Sequence, residues 1–364
     1  MNDPTRHADR IARAIAAMQH DGVDAMGLSV GADLPYLTGY RAVPLERLTM
    51  LVVRPQAAAA LVVPELEAPR VVPDPAFRVV TWSETDDPID IVAELLDGAH
   101  RVAIGAQTWS RFLLAIQRRM PGVEFTSADP IMRSLRIRKD PEELAALAAV
   151  AAAVDATMAS LRDLRFSGTT EREMARIIAD LLLASGHEEV DFTIVASGPN
   201  AASPHHEPGS RVMAPGDTIV VDIGGGMAGY RSDSTRTLCV GEPTSEVSAA
   251  YAALRRAQEA AIAAVRPGAT AGAIDRAART VIAEAGYGEA FIHRTGHGIG
   301  LETHEAPYIV EGSDTALEPG MTFSIEPGIY MAGRWGMRLE DIVVVTADGV
   351  ERLNRSDRVL YVVE

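Results

Sequence analysis

The chain has 364 residues, a length that points to two domains rather than one core. Its 47% hydrophobic and 23% charged content is that of an ordinary globular enzyme, and a formal net charge of −16 argues against nucleic acid or an anionic membrane as a partner. The single cysteine, Cys239, excludes an intramolecular disulfide framework and any cysteine-rich zinc knuckle.

Ile11, Ile15 and Met18 recur at helical spacing, and an apolar run from Met26 to Val30 follows. The runs MLVV (50–53), ALVV (60–63), RVVTW (78–82) and VAI (102–104) read as strands, with IDIVAELLDG and WSRFLLAIQRRM as helices between them. This is the pattern of an α/β domain, and no catalytic constellation stands out within it. A boundary is expected at RSLRIRKDPEEL, where Asp140, Pro141 and two glutamates start a long Ala/Leu-rich helix reaching to about residue 164. A second helix is expected over 170–185, and a further pair over about 246–265 and 271–285. No apolar stretch is read as long enough to span a membrane, and the charged start MNDPTRHADR lacks the apolar run of a signal peptide, so a cytoplasmic protein is expected.

Past Gly186, short strands separated by glycine and proline carry every chemical motif. Asp222 and Asp233 fall on opposite arms of an expected hairpin, VVDIGGGMAGYRSDSTRT, where two carboxylates can reach one cation. Ser232, Ser234, Thr235 and Thr237 are read as donors that orient Asp233. The GGG run lacks the Lys-Ser/Thr of a phosphate loop and no helix follows it. GHGIGLETHE carries His297 and His304, with His293 just upstream, and its glycines rule out a helical zinc motif. His205 and His206 lie in SGPNAASPHHEPG. Glu326 ends the apolar strand MTFSI, and Glu340 stands beside Asp341 at the start of IVVV, both costly places for a carboxylate without a partner. A salt bridge to Arg338 is the bland alternative for Glu340. Four carboxylates brought together repel unless cations neutralise them, so Asp222, Asp233, His297, Glu326 and Glu340 form a candidate ligand set for two metal ions. The two stretches holding the carboxylates each read strand, glycine-rich turn, strand and each follows a helical pair, an echo that implies pseudo-twofold symmetry.

These motifs resemble the metallopeptidases that include methionine aminopeptidase, Xaa-Pro aminopeptidase and prolidase, the pita-bread family. The resemblance runs from about Arg133 to the end of the chain. The portion before it, with DLPYLTGY, resembles the domain that the proline-specific branch and creatinase carry. It implies a creatinase/prolidase-like α/β domain over 1–132, concerned with oligomerisation and substrate gating, followed by an α+β pita-bread catalytic domain over 133–364. In that family Asp222 would hold one metal, His297 and Glu326 the other, and Asp233 and Glu340 would bridge. The ions would be Mn²⁺, with Co²⁺ or Zn²⁺ as alternatives, generating a bridging hydroxide for hydrolysis of an Xaa-Pro bond. Glu326 would accept the proton, His205 and His304 would steady the oxyanion, His293 matches a histidine of the proline-specific branch, and Arg338 would bond near the ligand carboxylates.

The expected substrates are proline-containing dipeptides or short peptides, cleaved by a homodimer. Many prolidases place an arginine after the HE motif to grip the free carboxylate of a dipeptide, whereas here Tyr308 occupies the matching position. A hydroxyl hydrogen-bonds a carboxylate without neutralising it, which leaves Arg41 or Arg47 as the expected anchor. The competing readings are an Xaa-Pro aminopeptidase acting on longer peptides, a metal-free creatinase and a non-catalytic pita-bread binding module. The intact ligand set argues against the last two.

Overall fold

The computed structural model describes residues 5–364, so the first four residues of the MNDPTRHADR stretch lie outside it. The chain divides into two compact units, Met1–Arg136 and Ile137–Glu364. Residues 133–136, read from sequence as the start of the second domain, belong to the last helix of the first unit.

In the first unit, β1 (Ala25–Leu28), β2 (Met50–Arg54), β3 (Ala57–Pro64), β4 (Phe77–Trp82), β5 (Arg101–Ile104) and β6 (Glu124–Ser127) form one mixed sheet in the order β4-β3-β2-β1-β5-β6. Helices α1 (Arg6–His20), α2 (Asp33–Thr38), α3 (Pro88–Leu95), α4 (Ser110–Arg119) and α5 (Asp129–Arg136) alternate with the strands except across β2, β3 and β4, which follow one another without an α-helix. Helix α1 buries Ile11, Ala14 and Met18, leaving the expected Ile15 half-buried, and α5 buries Ile131, Met132 and Leu135.

The second unit is built in two halves. The first half runs through α6 (Pro141–Ser160), α7 (Glu171–Ala184), β7 (Glu189–Ser197), β8 (Thr218–Met227) and β9 (Tyr230–Val240). The second half begins with α8 (Ser245–Ala264) and α9 (Ala271–Glu284). Its strands are β10 (Gly296–Gly298), β11 (Glu305–Ile309), β12 (Thr322–Ile325), β13 (Gly328–Met331), β14 (Trp335–Arg338), β15 (Asp341–Val345), β16 (Val350–Arg352) and β17 (Tyr361–Val363). One sheet has the order β17-β9-β8-β7, another β11-β10-β12-β15-β16, and β13 and β14 form a separate ribbon.

The helix starts show the echo between halves. Thr170 and Thr270 each cap the second helix of their pair, and each makes an isolated antiparallel bridge, to Val212 and to Ala316. Asp140 and Glu143 form a reciprocal capping box at α6, as the sequence predicts. Contrary to the expectation that no apolar stretch reaches membrane-spanning length, Pro141–Asp163 is long and apolar enough to cross a membrane by length and composition. It is nonetheless packed within this unit, with Leu147, Val150, Val154 and Met158 buried and Glu143 accepting from the Tyr230 hydroxyl at 3.0 Å.

Arg236 fastens the halves together. Fully buried, it donates to the Glu340 carbonyl at 2.6 Å and to Asp341 Oδ1 at 2.7 Å. Close backbone approach does the rest. A Cβ on Gly336 of β14 would overlap the carbonyl of Ala201, which lies in the turn following β7. Gly336→Ala is therefore expected to lower stability by about 1–3 kcal/mol, while Gly349→Ala, with open space around its Cβ, is expected to be nearly neutral. Thermal or urea unfolding of the two variants checks the contrast.

Candidate metal centre

The β8–β9 hairpin supplies the first two carboxylates. Asp222 lies opposite Thr235, and Asp233 opposite Gly224. Directly opposed residues share a face of the sheet, so both aspartates project to the same side. The three consecutive glycines 224–226 serve close packing against β7. A Cβ on Gly224 would stand 2.5 Å from the Phe192 ring, and one on Gly225 would meet the Glu189 carbonyl.

His297 comes from β10, between two glycines that admit no side chain. A Cβ on Gly296 would collide with the Ser324 carbonyl, and one on Gly298 with that of Ala306. Glu326 follows β12 and Glu340 follows β14, each tied by its backbone N–H, to the carbonyls of Thr295 at 2.8 Å and Thr235 at 3.2 Å. Asp222, Asp233, His297 and Glu340 are buried, and Glu326 is nearly so.

The five candidate ligands of the sequence reading are thus brought together by two sheets and two strand ends. Their donor atoms, with His304, fall into three overlapping triads, each within 4.8 Å: Asp222, Asp233 and Glu340; His297, Glu326 and Glu340; Asp233, His297 and His304. Asp233 and Glu340 each belong to two of them. His297 Nε2 lies 3.2 Å from Glu326 Oε1 and 3.5 Å from Asp233 Oδ2. Asp222 Oδ1 and Glu340 Oε1 are buried with no hydrogen-bond partner, a costly state for carboxylate oxygens. Hard oxygen donors in excess, one imidazole and two unsatisfied oxygens fit a pair of divalent cations.

Protonation within the cluster follows the same logic. Burial raises Asp233 well above the usual carboxylate range, and the charges of Glu340, Asp222 and Glu326 add to it. Glu340 is raised for the same reasons, burial first and then Glu326 and Asp222. Burial also opposes the charge on Glu326, but the hydrogen bond and charge of His297 prevail and hold it at about 2.

Arg338 is the one guanidinium inside the cluster. It donates to Asp222 Oδ2 at 2.6 Å, to Thr235 Oγ1 at 3.0 Å and to the Tyr330 hydroxyl at 2.8 Å. It pairs with Asp222, so the bland alternative of a salt bridge to Glu340 does not occur. The hydroxyls expected to orient Asp233 are placed otherwise. Thr235 donates to Glu340 Oε2 at 2.7 Å and Thr237 to the Arg338 carbonyl at 2.8 Å, because both reach across to β14 and the turn after it. Ser232 contacts His187 at 2.8 Å, and Ser234 Oγ is buried without a partner. Strand alternation turns these two serines away from the face that carries Asp233.

Around this centre, the His304 ring lies edge-on to that of His297, 4.1 Å between centroids. Burial, His297 and Arg294 push His304 down to about 4. His293 Nε2 is 2.9 Å from the Tyr330 hydroxyl. His206 is engaged by the buried Glu171 at 3.0 Å, whereas His205 is exposed and within electrostatic reach of His293 and His304. Tyr308 pairs with His297 across β10 and β11, and the Arg294 guanidinium lies over its ring at 4.7 Å. Arg47, in the first unit, is held by Glu84 at 2.8 Å and Glu46 at 2.7 Å, and Arg41 also has an interaction partner. The sequence reading passed over Arg294 and Tyr330. Arg294 adjoins His293 in HRTGHG and Tyr330 lies in EPGIY, but neither residue type signals a site until the strands bring it close.

This fold and donor set define the class. Residues 144–347 match metallopeptidase family M24 and residues 10–138 the creatinase/prolidase N-terminal domain, so the chain belongs to family M24. It is 45% identical to a probable dipeptidase PepE of Mycobacterium tuberculosis over 366 aligned residues, covering 99% of this chain and 98% of the relative. An Xaa-Pro dipeptidase of Lactobacillus helveticus is 36% identical, with 95% and 96% covered. The crystal structure of dipeptidase PepE from Mycobacterium ulcerans superposes with a TM-score of 0.94 at 44% identity, covering 100% of this chain and 99% of that one.

Thr235 bonds both Glu340 and Arg338, so Thr235→Val is expected to keep the fold, read by circular dichroism, and to weaken divalent-cation binding, probed with Mn²⁺, about 10–100-fold. Calorimetric titration of dialysed protein measures this, and unchanged affinity would contradict the role given to the hydroxyl.

Proposed function

We propose that this protein is a metal-dependent dipeptidase that hydrolyses the Xaa-Pro bond. The observation that carries the reading is the set of donor triads linked through Asp233, His297 and Glu340, with an unpartnered oxygen on Asp222 and on Glu340. In this reading Asp222, Asp233, His297, Glu326 and Glu340 would hold the cations, with Asp233 and Glu340 each offered to more than one donor set. Two bound divalent cations supply Lewis acidity for the scissile carbonyl and an activated water. Manganese is the proposed metal, with Co²⁺ or Zn²⁺ as alternatives, since oxygen donors outnumber the single imidazole.

The chain's own residues do the remainder. Glu326, hydrogen-bonded by Ser324 at 3.0 Å, accepts a proton on its carboxylate. His304 and His205 donate to the oxygen that gains charge at the carbonyl carbon. His293 and Tyr330 stand beside the centre, and Arg338 holds Asp222 in place through its 2.6 Å hydrogen bond. The names of the PepE and Xaa-Pro dipeptidase relatives support dipeptides over longer peptides. We further propose a cytoplasmic homodimer; the single, buried Cys239 suits a reducing compartment, and the dimer rests on the family resemblance.

For the free carboxylate of a dipeptide, Arg294 and Tyr308 form a better anchor than Arg47, whose charge two glutamates already share. A guanidinium stacked on the neighbouring tyrosine offers both charge and a hydroxyl. Arg294→Ala is expected to raise KM for Xaa-Pro dipeptides far more than for Xaa-Pro-Yaa tripeptides. If Arg47→Ala or Arg41→Ala shows that selective effect instead, the anchor comes from the first unit. Preferred cleavage of the tripeptides by unmodified protein would favour the aminopeptidase reading.

EDTA should abolish hydrolysis and Mn²⁺ or Co²⁺ restore it; full activity in metal-stripped protein would overturn the assignment. His304→Ala is expected to cut kcat about 10²–10³-fold with metal content retained in elemental analysis. Asp233→Ala or Glu340→Ala is expected to lose both ions.

A further inference from the structure

A second polar pocket, about 280 Å³ in volume, lies between α8 and the segment joining β16 to β17. Arg255 and Glu259 come from α8, Arg352 from β16, and Arg355, Ser356 and Arg358 from the connecting segment. None of them is a candidate metal ligand. Their charges do not balance. The Glu259 carboxylate is the acidic group shared by two of these arginines, and it stands 3.8 Å from Arg255 Nε and 3.7 Å from Arg358 Nη2, beyond hydrogen-bonding distance of either. Asp357, also at the pocket, is drawn to Arg162 at 2.8 Å. Arg352 reaches the buried Asp341 at 3.3 Å, but Asp341 is already bonded to Arg236 at 2.7 Å. Arg255 and Arg358 thus share one loosely held carboxylate, while Arg352 is bonded to Asp341 Oδ2 beside them and Arg355 pairs with Glu351 at 3.5 Å.

We propose that this pocket binds a small phosphate-bearing anion, held by Arg255, Arg352 and Arg358 with Arg355 at the rim. Guanidinium groups match the tetrahedral oxyanion by paired, charge-assisted hydrogen bonds. The volume admits orthophosphate or a short phosphate monoester, and a protein of net charge −16 repels an extended polyanion. Burial and the neighbouring Arg352 also hold Arg358 below the ordinary arginine value, a cost that a bound anion relieves.

The pocket is wired to the metal centre. Arg358 Nη1 donates to Gln258 Oε1 at 3.3 Å. The buried Gln258 amide in turn lies 3.3 Å from the Ile325 carbonyl, 3.4 Å from that of Leu339 and 3.2 Å from Asp341 Oδ2. Ile325 and Leu339 immediately precede Glu326 and Glu340. An anion that draws Arg358 outward acts on the amide that fixes both ligand-bearing turns. The binding claim stands apart from the peptidase reading, and only the kinetic effect rests on it.

Isothermal titration of metal-loaded protein with inorganic phosphate, and separately with glycerol 3-phosphate, tests the site. Saturable binding is expected, weakened at least about tenfold by Arg358→Gln and by Arg255→Gln and less than about twofold by Arg355→Gln, which is a rim position. Tighter binding of the ester identifies a phosphorylated metabolite as the ligand, and equal binding identifies free phosphate. Arg255 is half exposed, so its variant keeps the test valid if Arg358→Gln fails to fold. Absence of saturable binding, or binding that survives Arg255→Gln and Arg358→Gln intact because phosphate sits on the metals, would overturn the proposal. Under the dipeptidase reading, phosphate also changes kcat in the unmodified protein and not in Arg255→Gln.

Discussion

Mutual repulsion among buried carboxylates governs the second unit. Asp222, Asp233, Glu326 and Glu340 share a space of a few ångström with one imidazole and one guanidinium, and burial makes their repulsion strong. Arg338 compensates Asp222 and His297 compensates Glu326, which leaves Asp233 and Glu340 raised above their ordinary range. Those two carboxylates, together with His297, are the residues shared between donor triads. Divalent cations between them convert the repulsion into binding free energy, so metal occupancy and stability of the core are linked.

Holding such a cluster requires a scaffold that does not relax. The β8–β9 hairpin, β10 and the turns after β12 and β14 each contribute at least one donor, and no single element could spread the charges apart without breaking strand pairing. Arg236 and Gln258 secure those turns from behind, through the carbonyls of Glu340, Ile325 and Leu339. The glycines flanking His297 let strands approach closely enough for this. Rigidity of this kind keeps donor geometry fixed, which catalysis by positioned charges demands.

Much of this was legible in the chain. The five ligand candidates stand out because carboxylates and a histidine set amid β-branched and glycine residues are costly to bury unless a cation or an ion pair compensates them. Asp140 and Pro141 with the glutamates after them, and the apolar periodicities, mark helices in the same way. The hydroxyls of the DSTRT stretch were less legible. Their sequence proximity to Asp233 suggested that they serve it, whereas Thr235 and Thr237 bond to groups about a hundred residues distant along the chain. Arg294 escaped notice because its stacking on Tyr308 depends on the pairing of β10 with β11.

By itself, then, the sequence determined the residue types of the centre, the approximate extents of the helices that precede each half of the second unit, and the family resemblance. These follow from local propensity, periodicity and composition, which are carried by neighbouring residues. Only the tertiary structure decided which guanidinium pairs with which carboxylate, which carboxylates fall in two donor sets, and which arginines gather without sufficient counter-charge. Those are properties of non-local contacts between strands and turns, where electrostatic energy depends on distances of a few ångström that no spacing along the chain encodes.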